Sequence, residues 1–289
     1  MITATLVKEL RERTNAGMME CKKALIETNG DIEQAIEVMR KAGQAKAVKK
    51  GSRIAAEGTI VVLSAADSKR AILLEVNCET DFVAREDKFQ HFAKEAANIA
   101  LNNGIKDIEA LRLRTDSARL ELVAQLGENI TVRRLSYFDA QEAVIGAYAH
   151  GGANGVRIGS VVILKKGTTE LARDLAMQVA GMNPEYIATS DVPEARLNKE
   201  KEIFMAQTLE EGKEGPMVEK IVAGKLKKFA TEITLLGQMF VKDPTKTIEA
   251  LLKSANAEVQ AFVRYEVGEG IEKKEDNFVQ EVMAQVRGE

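Results

Sequence analysis

The sequence predicts an α+β fold: helices first, mixed strands and helices through the middle, and a charged helical pair before the end. Three observations carry that expectation. From Leu6 to Met39 the apolar residues recur at helical spacing. Residues 59–64 and 70–76 are aliphatic, β-branched runs separated by Ala-Ala-Asp-Ser-Lys, which reads as a hairpin and therefore as antiparallel sheet. Residues 194–211 and 217–229 are charged, helix-favouring segments on either side of Glu-Gly-Lys-Glu-Gly-Pro, where glycine and proline break the pattern.

Taken in order, Thr3 or Thr5 caps a first helix carrying Leu6, Val7 and Leu10, and Asn15-Ala16-Gly17 ends it. A second helix covers 18–28 and closes at Asn29-Gly30. Asp31 is a good N-cap for a third, where Ile32, Ala35, Ile36 and Met39 line one face before Gly43. Helices this short do not stand alone, so they are expected to pack as a miniature bundle. Residues 43–58 read as an Ala- and Gly-rich linker, made basic around Lys41, Lys46, Lys49, Lys50 and Arg53. It is either a solvated connector or a docking strip for an acidic surface.

After the hairpin, a loop over 77–86 leads into a helix over 87–102, and a second helix covers 117–126. Residues 130–138, 144–149 and 156–165 are three further strands, followed by a helix over 168–181. Phe92-Ala-Lys-Glu-Ala-Ala97 resembles Leu171-Ala-Arg-Asp-Leu-Ala176, which suggests two related strand-then-helix halves. The charged pair forms an antiparallel helical hairpin. The tail returns to a strand over 262–267 and ends in a polar helical segment over 271–286.

The 289 residues allow about two domains and a small third unit. Hydrophobic residues at 45% and charged residues at 29% suit a folded globular protein and not a disordered one. Lys and Arg number 41 against 44 Asp and Glu, a net charge of −3, which argues against bulk nucleic-acid binding. The longest run without Asp, Glu, Lys or Arg, 143–156, falls short of the ~20 apolar residues a membrane span needs. The opening residues carry Glu9 and Glu12 and lack the basic and apolar regions of a signal peptide. Cys21 and Cys78 form neither a CxxC pair nor a disulfide framework, so reduced thiols in a cytoplasm are expected.

Catalytic machinery is thin. His91 and His150 are the two histidines, and no HExxH, CxxC or GxSxG element occurs. Neither Gly151-Gly152-Ala153-Asn154-Gly155 nor Gly268-Glu269-Gly270 completes a nucleotide loop. Cys78 is a nucleophile in principle and a small buried hydrophobe by base rate. The expectation is a binding protein with no cofactor, no metal and no enzymatic step.

Three features stand out in a chain with nine Phe, four Tyr and no Trp. Phe82 and Val83 sit in the polar run Cys78-Glu79-Thr80-Asp81-Phe82-Val83-Ala84-Arg85. Phe82 is either a staple folded onto the helix that Asp87 caps or an exposed anchor beside Asp81. Met18 and Met19 are adjacent on a helix, so they point ~100° apart and at least one of them reaches solvent as an adaptable contact. His150 ends a strand before Gly151-Gly152, and is either structural or functional.

Residues 10–25 read Leu-Arg-Glu-Arg-Thr-Asn-Ala-Gly-Met-Met-Glu-Cys-Lys-Lys-Ala-Leu. Residues 75–84 read Glu-Val-Asn-Cys-Glu-Thr-Asp-Phe-Val-Ala, and 262–272 Phe-Val-Arg-Tyr-Glu-Val-Gly-Glu-Gly-Ile-Glu. Together these resemble bacterial elongation factor Ts, a family of guanine-nucleotide exchange factors for elongation factor Tu, over essentially the whole chain. The resemblance implies a UBA-like helical domain over 1–54 with a basic linker. It implies a two-part α+β core over 55–140 and 141–264, the latter holding a coiled-coil hairpin about 187–229, and a C-terminal module over 265–289.

The family's Thr-Asp-Phe-Val stretch intrudes into the partner's nucleotide domain and helps dislodge Mg²⁺, which maps onto Thr80, Asp81, Phe82 and Val83. Its helical-domain contact maps onto Arg13, Met18 and Met19, its histidine contact onto His150, and the last helix is expected to touch the partner. The implied function is promotion of GDP release from elongation factor Tu in translation elongation, without direct nucleotide, DNA or membrane binding. Self-association of the core through the hairpin stays open. The competing reading is an adaptor whose helical module binds a peptide or ubiquitin-like partner. Two departures from the family pattern are a longer glycine run over 151–157 and Met239 where proline is expected.

Overall fold

The computed structural model describes residues 2–14, 16–152 and 155–272. The helical segment expected over 271–286 therefore lies outside the described residues. Three helices open the chain, α1 (Ala4–Thr14), α2 (Met18–Glu27) and α3 (Ile32–Lys50). Leu10, Cys21, Leu25 and Ala35 are buried among them, so each apolar stripe is covered by the other two helices. The turn after α2 closes with Gly30 at φ +87°, its amide donating to the Leu25 carbonyl at 2.8 Å.

Next come β1 (Glu57–Ser64), β2 (Arg70–Cys78), α4 (Asp81–Arg85), α5 (Asp87–Asn103) and α6 (Ile108–Leu126). They lead to β3 (Thr131–Asp139), β4 (Val144–Gly152), β5 (Gly155–Lys165) and α7 (Thr169–Met182). Two long helices, α8 (Glu194–Glu210) and α9 (Pro216–Glu232), form the antiparallel hairpin. A small ribbon, β6 (Met239–Phe240) and β7 (Asp243–Thr247), precedes α10 (Ile248–Ser254) and β8 (Glu258–Glu266).

β1-β2-β3 and β4-β5-β8 are two antiparallel sheets packed face to face. β2 is buried on both faces. Ile72, Leu74 and Val76 meet α5 and α6, while Ala71 and Leu73 meet the second sheet. β5 mirrors it, with Val162 and Leu164 toward α7 and Val161 toward the first sheet. The architecture is thus helix, sheet, sheet, helix, with the repeated Phe92–Ala97 and Leu171–Ala176 motifs on the two outer helices. Ala93, Ala96 and Ala97 are buried on α5, and Ala172, Leu175 and Ala176 on α7.

Two expectations are corrected. The linker expected from Gly43 does not begin there, because α3 continues to Lys50. Gly43 serves close packing, not termination: a Cβ at that position would lie 3.0 Å from the Ala124 Cβ on α6. α6 starts at Ile108 rather than at residue 117, with Asp107 as its cap accepting from the Ala110 amide at 3.0 Å. Thr115, inside α6, returns its hydroxyl to the Leu111 carbonyl at 2.9 Å.

Candidate functional site

β2 ends at Cys78, and the chain then turns into the short helix α4. Thr80 is the N-cap, extended at φ −121° and ψ 156°, and its hydroxyl oxygen accepts the Val83 amide at 3.3 Å. The Cys78 thiol donates to the Thr80 carbonyl at 3.2 Å. Burial and the charges of Glu128 and Glu57 push that thiol well above the usual cysteine range, so it is a poor nucleophile.

From this turn the residues diverge in environment. Val83 and Ala84 are buried in the core beneath α5. Phe82 points the other way and is 74% exposed. The staple reading is overturned, because the burial of Val83 and Ala84 directs Phe82 outward on the opposite side of the turn. Asp81 pairs with Arg85 one helical turn later, and the Arg85 guanidinium lies 5.9 Å from the Phe82 ring centroid.

The turn is held from two sides. Glu128, just beyond α6, accepts the Glu79 and Thr80 amides at 3.1 and 3.0 Å and the Thr80 hydroxyl at 2.6 Å. On the other side Gln90 of α5 donates to the Ala84 carbonyl at 2.6 Å. Gln90 also touches the β4–β5 hairpin: a Cβ on Gly155, which has φ +83°, would lie 2.9 Å from the Gln90 amide nitrogen. Sequence reading missed both residues. Glu128 is 48 positions from Thr80, and no local pattern announces that contact.

His150 lies on that hairpin, exposed near the end of β4, its ring stacked on Tyr148 at 6.2 Å with Nδ1 3.3 Å from the tyrosine hydroxyl. The glycines of the run that are described lie in the hairpin's ladder, with Gly151 opposite Val156 and Gly152 opposite Gly155. The topology brings this hairpin to the Phe82 end of the sandwich. Cys78 pairs with Glu57 in register, and Glu57 accepts from Arg157 at 2.5 Å beside the start of β5.

Met18 and Met19 open α2 and are 59% and 75% exposed, so both reach solvent. Arg13 ends α1 in an ion pair with Glu33 at 2.6 Å. Among the described residues, no group of three or more His, Cys, Asp or Glu side chains is placed to hold a metal ion. No helix among them is long and apolar enough to cross a membrane. Phe82, Met18 and Met19 are thus exposed apolar side chains on two different helices, and the Asp81 carboxylate is already paired with Arg85.

A family model described as Elongation factor TS matches residues 79–269. Proteins named Elongation factor Ts align along nearly the whole chain. The one from Thioalkalivibrio sulfidiphilus is 52% identical over 294 residues, covering 99% of both chains. That of Legionella pneumophila strain Lens is 54% identical over 293 residues, again with 99% of each covered. The chain belongs to the elongation factor Ts family. A Photorhabdus laumondii member is 51% identical over 283 residues and 98% of both chains. Membership places the protein among the elongation factors of translation. The family match begins at Glu79, at the foot of the Phe82 turn, and the full-length relatives extend it through the three opening helices.

Proposed function

We propose that this protein binds elongation factor Tu in its GDP form in the cytoplasm and promotes GDP release, so that GTP takes its place. The observation that carries the reading is Phe82, exposed on a helical turn whose neighbours Val83 and Ala84 are locked into the core. Such a side chain is a preformed wedge, since the turn's order does not have to be gained on binding. No covalent step is involved, and the chain acts through differential affinity.

Exchange is a coupling between two ligands of one partner, and it is reciprocal: the factor weakens nucleotide by as much as nucleotide weakens the factor. Lowering nucleotide affinity ~10⁴-fold takes about 5.5 kcal/mol of differential binding. Burying one phenylalanine supplies ~1.5–3 kcal/mol, so Phe82 does not suffice. His150 on the β4–β5 hairpin shares the task in this reading, while Arg13, Met18 and Met19 on the helical unit supply grip. The division into 1–54, 55–140 and 141–264 then separates a gripping unit from two core halves.

Within the turn the roles divide by environment. Thr80 caps, Val83 anchors, Phe82 intrudes, and Asp81 acts on the Mg²⁺ shell by repulsion or by competing for a partner side chain. Asp81 gives up Arg85 to do so, which costs little for a solvated pair.

The test is stopped-flow release of fluorescent GDP from elongation factor Tu. The intact chain should accelerate release by orders of magnitude, and Phe82→Ala should lower that acceleration roughly tenfold to a hundredfold. No acceleration by the intact chain refutes the exchange reading. Full activity in Phe82→Ala removes the wedge and leaves exchange standing.

A further inference from the structure

The five-residue helix α4 is far too short to be stable alone, yet it presents Phe82 in one pose. Part of what holds it lies in the segment between α6 and β3. Glu128 receives two backbone amides, of Glu79 and Thr80, on one oxygen and the Thr80 hydroxyl on the other. Three donors converging on one ionised carboxylate form charge-assisted bonds, about twice as strong as neutral ones. The Thr80 hydroxyl has a single proton. Because Glu128 takes that proton at 2.6 Å, the hydroxyl's lone pairs are left facing the Val83 amide, the capping bond of α4. The hold is returned in kind, since Glu79 accepts the Asn129 amide at 2.6 Å.

The same segment grips the end of the three-helix unit. The Gly127 carbonyl accepts the Lys50 ammonium, and the Asn129 side chain donates to the Arg53 carbonyl at 2.8 Å. Arg53 in turn lies 3.5 Å from the Glu79 carboxylate. Residues 127–129 therefore touch the last turn of α3 on one side and the root of the Phe82 turn on the other.

We propose that Glu128 is a positioning residue for exchange. It fixes the projecting pose of Phe82 and, with Gly127 and Asn129, makes that turn and the end of α3 one rigid body. The inference rests on the exchange reading of Phe82. Without Glu128, Val83 and Ala84 stay buried and the fold persists, while residues 79–82 sample other conformations. Only the fraction in the projecting pose is competent, and activity falls by that fraction.

The experiment compares Glu128→Ala and Glu128→Gln in the intact chain and in a Phe82→Ala background, using release of fluorescent GDP from elongation factor Tu. Glu128→Ala should lower the saturating release rate about tenfold, as expected for leaving several donors without their acceptor. Glu128→Gln should recover most of it, since an amide oxygen accepts the two N–H groups and its NH₂ donates to the Thr80 oxygen. In the Phe82→Ala background, Glu128→Ala should change the rate less than about twofold, because a residue that acts through Phe82 has nothing left to position. Equal losses in both backgrounds, or full activity of Glu128→Ala, overturn the proposal. Hydrogen exchange at the Glu79, Thr80 and Val83 amides separates this from the exchange reading itself. If the intact chain accelerates nothing, those amides still decide: faster exchange in Glu128→Ala supports the positioning role, and unchanged protection ends it.

Discussion

The Glu75 carboxylate accepts the Gly268 amide at 2.8 Å, closing the chain beyond β8 onto the inner face of the first sheet. Glu75 is fully buried and also receives Asn77 at 2.9 Å, Arg133 at 3.1 Å and Arg134 at 2.5 Å. Arg134 then lies 4.0 Å over the Tyr265 ring, so one carboxylate organises the seam between the sheets. Burial pushes the Glu75 carboxyl up, but the bonds from Gly268, Asn77 and Arg134 outweigh it and hold the group below its ordinary 4.5.

Glu75→Gln should therefore destabilise the protein by about 3–5 kcal/mol, because Arg133 and Arg134 lose their buried counter-charge. The urea midpoint measures it. Since the folded carboxyl binds its proton less readily than the unfolded one, its contribution is complete above the unfolded value and is lost as pH falls through the depressed folded one. Wild-type stability should decline below about pH 4.5, and the decline should be shallower in Glu75→Gln. Parallel acid curves would contradict this account of the cluster.

Two glycines should differ sharply on conversion to alanine. A Cβ on Gly159 would meet side-chain methyls of Ile60, Leu73 and Val62 at 2.6–2.7 Å between the sheets. The Cγ2 methyls of Ile60 and Val62 sit on stiff β-branched side chains and can give only by moving the sheets slightly apart, so Gly159→Ala should cost about 1–3 kcal/mol or more. A Cβ on Gly146 would lie 2.0 Å from the Ala172 backbone of α7, which no rotamer relieves. Gly146→Ala should be the more damaging of the two, lifting α7 from its sheet. Thermal melts of the pair give the order, and the reverse order would mean that α7 is less firmly seated than its packing indicates.

Where a period or a cap made its own signal, the sequence was sufficient. The stripe Ile32, Ala35, Ile36 and Met39, the β1–β2 hairpin and the matched motifs on α5 and α7 are all present in the fold. It failed where a distant contact decided a local question. Gly43 resembles a helix stop until Ala124 is seen against it. The five residues of α4 are too few to show helical periodicity, so they read as loop. Phe82 fitted a staple equally well until the burial of Val83 and Ala84 showed which way the turn faces. Glu128 and Gln90 carried no local signal, because their meaning lies in backbone groups they reach through the fold.

Both cysteines are free and buried, and the Cys78 thiol is held protonated by burial and by the carboxylates of Glu128 and Glu57. The folded protein should show no fast-reacting thiol toward a disulfide reagent at pH 8, and two after unfolding in guanidinium. Cys78→Ser should leave GDP release nearly unchanged. A reactive native thiol, or activity abolished in a folded Cys78→Ser, would revive the nucleophile reading.

The methionine pair tests the division of labour between grip and wedge. Met18 and Met19 are both exposed, so replacing them with alanine removes little native packing and should move stability within about 0.5 kcal/mol. Each side chain is worth ~1.5–3 kcal/mol if fully buried by a partner, and partial burial of both gives a loss of roughly tenfold in affinity for elongation factor Tu. Because α2 and the Phe82 turn are separate elements, this loss should appear in the factor concentration needed for half-maximal GDP release. The saturating rate should change little, and Phe82→Ala should do the opposite. The two losses should combine additively, since Met18 and Met19 stand on α2 and Phe82 on α4. If the methionine variant instead lowers the saturating rate while its half-saturating concentration stays fixed, the helical unit takes part in displacing nucleotide and is more than a grip.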